Sequence, residues 1–498
     1  MGMVLNTNIG SIQAQRALTE SRADMEKAME RLSTGLRINS AADDAAGLAI
    51  VERMNTQIRG LTMATKNAND GIALIKTVEN ALVEVSGMLQ RMRELSVQAS
   101  NDTNTATERA FANNEISQLQ LEISRVSLNT RYNGAQVLNG SFAAKTLQVG
   151  TESGETISFS IDTVEAATLG AFVLTSQGIA AQQDGSGGGG TPVAGTSYAQ
   201  DIIITAGENA RTVLVEANDS ARTIAKRINA VAGATQVTAE GRTFALLSST
   251  DTTGASTAKI KINGTETAAF ALSTSDVSDA VLKINAISQT TGVQASATDD
   301  YKVLLTDKWG DTIKIQNTAG SARAANLVVQ AVANDGTSNA GSAVTMAQSG
   351  DNSSATVLGT LRLTSSSEFS VNLADSGTSA NEWFLDADTP AVLKTVGEVD
   401  VRSRIKASDA IAVIDGAIQK ISGMRGGLGT LQNRLDYTVS NLMKVTEYTT
   451  GARSRIQDAD FAAETARLAK AQVLQQAGAA MLSQANASTD VILQIIRG

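Results

Sequence analysis

Residues 71–99 read GIALIKTVENALVEVSGMLQRMRELSVQA, and their apolar members fall on one narrow helical stripe. Ile75, Val78, Leu82, Val85, Leu89, Met92 and Ala99 step by threes and fours, with Ser96 interrupting. That spacing is the seam of a coiled coil, too narrow for a helix buried all round. Such a seam needs a partner helix. Near the other end of the chain Ile411, Ile414, Ile418, Ile421, Leu428, Leu431, Leu435, Val439 and Leu442 repeat the spacing. The expectation is that the two ends fold together into a rod that carries everything between them on its tip.

The chain has 498 residues, enough for several domains with real cores. A formal net charge of −9, a pI near 4.9 and 3% aromatic residues leave neither a basic field nor a stacking surface for nucleic acid. Histidine and cysteine are both absent, which removes catalytic imidazole, thiolate nucleophiles, disulfides and the usual zinc ligand sets. A carboxylate pair, a Ser–Lys pair or an all-oxygen metal site stays chemically open, but no motif for one is present. We therefore expect no enzyme, no cofactor and no metal. No window approaches the ~20 apolar residues of a membrane span, and residues 1–20 lack a basic region followed by an apolar run. If the protein leaves the cell, it does so without an ordinary secretory signal.

Outward from the seam, residues 3–33 read as an amphipathic helix with Ile9, Ile12, Leu18, Met25, Met29 and Leu32 on one side, marginal in isolation. Gly35 and Asn39 break it, and Ser40 with Asp43 forms a capping-box-like start for a helix over 43–100. At about 1.5 Å per residue that helix is roughly 85 Å long. Thr105 with Glu108 caps a third helix over 105–129, which should fold back antiparallel after the short polar break at 101–104. Asn133-Gly134 and Asn139-Gly140 signal turns, and 146–149 with 156–161 reads as a hairpin.

From 165 to 400 the composition shifts to Thr, Ser, Ala, Gly and Val. The run DGSGGGG at 184–190 is a linker or loop tip, not a phosphate cradle. An internal repeat aligns Arg227-Ile228-Asn229-Ala230 and Val237 with Lys283-Ile284-Asn285-Ala286 and Val293, each unit reading as strand, short helix, strand, strand. Helical pattern resumes at a cap on Ser408-Asp409 and runs to 449, interrupted by Gly426, Gly427 and Gly429, which we read as close helix packing or local flexibility. A last helix over 458–496 carries Phe461, Leu468, Leu474, Met481, Leu482 and Ile492 among alanines and glutamines.

These ends resemble bacterial flagellin. The resemblance rests on residues 5–17 (LNTNIGSIQAQRA), 31–50 (RLSTGLRINSAADDAAGLAI), 90–95 (QRMREL), 130–138 (TRYNGAQVL) and 452–486, and the matching ends that contain them cover roughly 165 N-terminal and 95 C-terminal residues. The repeats are similar to a module inserted in some flagellins. The resemblance implies a multidomain α + β fold: a coiled-coil rod built from both ends, with β-rich and α+β outer domains inserted between them. It divides the chain into an N-terminal inner helix at 1–42, rod at 43–165, variable outer domains at 166–400 with repeats at 201–256 and 257–316, rod at 401–457, and a C-terminal inner helix at 458–498.

In function it implies a structural subunit that self-polymerises into the flagellar filament, located outside the cell. A hook–filament junction protein, or a filament subunit whose outer domains act as an adhesin, are the alternatives. Polymerisation would use Leu5, Ile9, Ile12 and Leu18 with Phe461, Leu468, Leu474, Leu482 and Ile492. Other implied partners are an export chaperone of the type III apparatus on 458–498, and the hook-associated junction and cap proteins. Gln90, Arg91, Arg93, Glu94, Leu95 and Glu115 match a subunit contact that doubles as a Toll-like receptor site in animal-associated flagellins, with Met92 replacing a smaller β-branched residue. A zinc peptidase in the outer domain needs His-Glu-x-x-His, which a histidine-free chain lacks.

Overall fold

The computed structural model describes residues 7–183, 201–250, 256–318, 326–347, 353–373, 383–384 and 388–497, with side chains at the C-terminal end described through 487. Its helices are α1 (Ile9–Thr34), α2 (Ala45–Ala99), α3 (Ala106–Asn129), α4 (Ala221–Ala230), the single turn α5 (Ala232–Thr235), α6 (Ser278–Asn285), the single turn α7 (Ser288–Thr291), α8 (Arg404–Gln457) and α9 (Phe461–Arg497). Long terminal helices thus flank a β-rich middle. The glycine run at 184–190 and Pro192 lie outside the described residues.

The chain divides into two compact units, residues 1–76, 144–159 and 429–498 in one, 77–143 and 160–428 in the other. In the first, Asn8 caps α1 by accepting from the Ser11 N–H, and Gly35, at φ +73°, ends it. The 40–43 capping box does not start a helix. Asp43 Oδ2 instead accepts from the N–H groups of Asn39 and Ser40 at 3.3 and 3.1 Å, closing a turn. The cap is Asp44, whose Oδ1 accepts from Gly47 N at 2.8 Å. Leu61 and Ala64 of α2 pack with Leu442 and Val445 of α8, and Gly71 admits Leu147 and Leu435 where a Cβ would come within 2.5 and 3.3 Å of them. Leu147 lies on the hairpin of strands Lys145–Gln148 and Thr156–Phe159.

In the second unit the seam is dry: Val78, Leu82, Val85, Leu89 and Met92 are fully buried. Ion pairs mark an antiparallel α2–α8 pairing, since Glu79, Arg93 and Asp102 meet Arg425, Asp415 and Arg404 in turn. The Thr105–Glu108 capping box opens α3, which runs back along α2, with Arg109 Nε on the Ala99 carbonyl and Glu115 against Arg91.

Two expectations about α8 fail. Ser408 and Asp409 lie inside the helix; Ser403 caps it, accepting from Lys406 N at 3.3 Å, while Asp409 is held by Arg242 and Arg362. Gly426, Gly427 and Gly429 do not interrupt α8, and a Cβ at any of them meets nothing within 4 Å, so close packing within the chain does not account for them.

The middle is organised on the twelve-residue strand Thr238–Ser249, which pairs antiparallel with Thr360–Ser365 along its first half and with both Val303–Asp307 and Leu327–Val332 along its second. One core gathers Ile202, Ile224, Ile228, Leu361 and Trp383; another gathers Ile260, Phe270, Ile284, Val293 and Ile313. The repeat is real in three dimensions. Asn229 Nδ2 donates to the Ala239 carbonyl and its Oδ1 accepts from Ala239 N, both at 2.8 Å. Asn285 does the same to Ala295 at 2.8 and 2.7 Å. The copies differ in strand count. In the second, a turn closed by Thr298, with Tyr301 at φ +54°, folds Val293–Ala297 against Val303–Asp307 as a hairpin. The first has no such turn and runs on as one strand, which corrects the expected two.

Candidate functional site

Two surfaces hold the residues singled out in the sequence. On the first, α1 and α9 run antiparallel. Asn8 Nδ2 donates to the Ala485 carbonyl at 3.0 Å, Leu18 sits where a Cβ on Gly478 would come within 3.2 Å of it, and Arg31 reaches Glu464 at 3.5 Å. Small residues on α9 allow this approach, but they bury little. Ala28 is the one buried apolar residue of α1, and Ala471 the one among the described residues of α9. Ile9 and Ile12 remain 58% and 56% exposed, and Met29, Phe461, Val473, Leu474 and Met481 are exposed with them. Leu18, Leu468 and Leu482 are half-buried. Leu5, and the side chain of Ile492, lie outside the described residues.

Full burial of a large apolar side chain is worth about 1.5–3 kcal/mol, and this helix pair leaves most of that contribution unrealised within the single chain. Its connectors are nevertheless tied together, a feature no local pattern announced. Leu36 bridges to Asp458, Ala459 N donates to the Gly35 carbonyl at 2.9 Å, and Arg37 N to the Gln457 carbonyl at 2.6 Å. The Arg37 guanidinium adds bonds to the carbonyls of Arg455, at 3.2 Å, and Ile456.

Beside these connectors the Lys27 ammonium, 3.1 Å from Asp43, together with the Ser40 N–H, holds that carboxyl down at about 2 from an ordinary 3.8. Arg402 likewise depresses Asp400, whereas burial pushes Asp307 the other way. A depressed carboxylate contributes stability that is present above its unfolded pKa and is lost as pH falls through its folded one. With no histidine to titrate, unfolding temperature should be flat between about pH 5 and 8 and drop between about pH 4 and 2. A titration midpoint near neutrality would contradict this.

The second surface is on α2 and α3. Arg91 Nε donates to Glu115 Oε1 at 2.7 Å and its Nη1 to Glu94 Oε2 at 3.1 Å; Gln90 is exposed next to them. Arg93 turns to α8, where Asp415 accepts two bonds at 2.6 and 3.3 Å. Asp415 was not legible in the sequence, since it lies 322 positions away. Leu95 and Met92 are buried under the patch, so Leu95 supports the surface from below and is not presented on it. Exposed ion pairs of this kind add little to stability. What they offer is a fixed arrangement of charge.

Among the described residues there is no cluster of acidic groups suited to a metal, and no helix is long and apolar enough to cross a membrane. Long terminal helices that leave apolar side chains exposed, joined through a β-rich insertion, make an architecture of structural and not catalytic type. Comparison with known proteins says which. The family model of the bacterial flagellin N-terminal helical region matches residues 5–143, and that of the C-terminal helical region matches residues 411–496. A B-type flagellin of Pseudomonas aeruginosa is 37% identical over the whole of both chains, and a flagellin of Salmonella typhimurium 32% over the whole of both. The solved structure of FliC from Burkholderia pseudomallei aligns with 73% of this chain and 99% of its own at 18% identity and a TM-score of 0.29, which adds nothing to the sequence relation. The chain belongs to the bacterial flagellin family. It is a structural subunit of the extracellular flagellar filament, and not an enzyme.

Proposed function

We propose that the exposed face of the α1–α9 pair, which carries Ile9 and Ile12 towards one end, Leu474 along its length and Phe461 towards the other, is the surface along which subunits polymerise, and that the Arg91–Glu115 patch is a second subunit contact. The observation that carries this reading is the apolar area the two helices leave in water. A contact that joins unlike patches head to tail does not close on itself and grows into an open helical polymer. On this reading residues 1–42 and 458–498 are the assembling segments and 166–400 the variable domains. Ile9→Ser with Ile12→Ser should leave the melting temperature of the monomer nearly unchanged, because both side chains are already wet, while raising the critical concentration for filament growth at least tenfold. Growth at the wild-type critical concentration would remove these residues from the interface.

The same apolar face needs cover before assembly, which suits an export chaperone bound to α9, and the hook-associated junction and cap proteins suit the same helices at the filament ends. The fixed charges of Arg91, Arg93, Glu94 and Glu115, with the neutral amide of Gln90 beside them, suit recognition of the free monomer by a Toll-like receptor where there is a host. Arg91→Ala monomer should signal more weakly in a receptor assay; undiminished signalling would exclude the assignment.

A further inference from the structure

Trp309, on the loop between strands Val303–Asp307 and Ile313–Asn317, is 66% exposed, and the loop that carries it is not loose. Buried Asp307 accepts from the N–H groups of Trp309 and Asp311 at 2.8 and 3.2 Å. Gly310, at φ +79°, lies so close to the Thr238–Ser249 strand that a Cβ there would come within 2.7 Å of Gly241 Cα. The turn therefore holds a large, flat indole out towards water in a fixed place, where it can serve as a stacking surface. Arg222 stands over the ring at 5.8 Å from its centroid, oriented by a 2.7 Å bond to Asp311.

Beside the indole opens a cleft of about 600 Å³ lined by Arg222, Lys226, Arg242, Lys308 and Arg404. In a chain of net charge −9 this is a concentration of cations. Glu240, the one carboxylate among the described lining residues, is bonded to Arg242 at 3.1 Å, and Arg222, Arg242 and Arg404 are paired with Asp311, Asp409 and Asp102 just behind the wall, so its open positive charge is that of the two lysines. Lys226 and Lys308 are exposed and form no ion pair among the described residues. The occupant that satisfies this wall is an anion. A ring face for the indole and scattered hydroxyls for the rim narrow it to a sugar. A nucleic acid strand would need a row of stacking aromatics, and here there is one.

We infer that this cleft binds an acidic oligosaccharide, a sugar ring resting against Trp309 and its carboxylate or sulfate held by Lys226, Lys308 and the neighbouring guanidinium groups. The inference goes beyond the filament-subunit reading and is independent of which residues polymerise. Its test is calorimetric titration of the full-length subunit with a heparin-derived hexasaccharide (sulfate), an oligogalacturonate (carboxylate) and a neutral dextran oligosaccharide. At least one acidic sugar should bind, more weakly as salt rises, and dextran should not. Trp309→Ala and the double variant Lys226→Ala, Lys308→Ala should each weaken binding at least tenfold at an unchanged melting temperature, while Lys444→Ala, remote in sequence and exposed, changes nothing. Filaments should bind as the monomer does. No binding at millimolar acidic sugar, equal binding of dextran, full affinity in Trp309→Ala, or binding lost on polymerisation, which would give the cleft to a neighbouring subunit, each overturns the assignment.

Discussion

A subunit lacking residues 458–498 should remain folded and fail to polymerise altogether, and so should one lacking residues 1–40. The two terminal helices bury almost nothing: Ala28 on one side, Glu464 and Ala471 among the described residues of the other. Their loss therefore removes little of what holds the long helices. The Leu61, Ala64, Leu442 and Val445 cluster contains no residue from either deleted segment, and the seam from Val78 to Met92 lies in a different unit. What is lost is the area that neighbouring subunits would bury, at about 25 cal/mol per Å² of apolar surface. Circular dichroism should show a cooperative melt within a few degrees of the intact monomer, and seeded growth followed by light scattering should show none. Filaments from a doubly truncated protein would refute the assembly reading; a truncated monomer that no longer melts cooperatively would show instead that these helices stabilise the subunit itself.

The largest effect expected from one substitution is at Asp409. Its Oδ1 accepts from Arg362 Nη1 at 2.6 Å and Arg242 Nη1 at 2.7 Å, and its carbonyl accepts from Arg362 at 3.1 Å. Arg362 is 4% exposed, and burial pushes its pKa down against the pull of the carboxylate. Asp409→Asn keeps the shape and removes the charge, leaving two guanidinium cations facing a neutral amide, one of them out of reach of water. Breaking a fully buried pair costs about 3–5 kcal/mol; Asp409 is 31% exposed and Arg242 keeps Glu240, so the cost here falls below that range but is still a sizeable share of the roughly 5–15 kcal/mol that stabilises a domain. Arg362→Met should cost less, because it removes the buried charge itself and leaves Asp409 paired with Arg242. Thermal unfolding of the two variants side by side checks the order; equal melting temperatures would mean that the buried charge is not what the pair supports.

The long helices could be read from the chain because their information is local. A stripe such as Val78, Leu82, Val85, Leu89, Met92 encodes both a helix and the face that must be covered, and the Thr105–Glu108 box encodes where a helix begins. The Asn229 and Asn285 repeat was visible for the same reason: each asparagine bonds a strand residue only ten positions on.

Where a local signal misled, a distant partner had intervened. Ser408-Asp409 reads as a cap, yet Asp409 sits within α8 because Arg242 and Arg362, 167 and 47 residues away, claim its carboxylate. Arg93 finds Asp415 across 322 positions, and the rigid turn that exposes Trp309 depends on its glycine meeting a strand some seventy residues earlier. Periodicity records which face of an element must leave water, and this follows from the residues themselves. Which charged group meets which depends on how the elements dock, a choice made by the packing of many weak contacts and written in no single stretch of the chain.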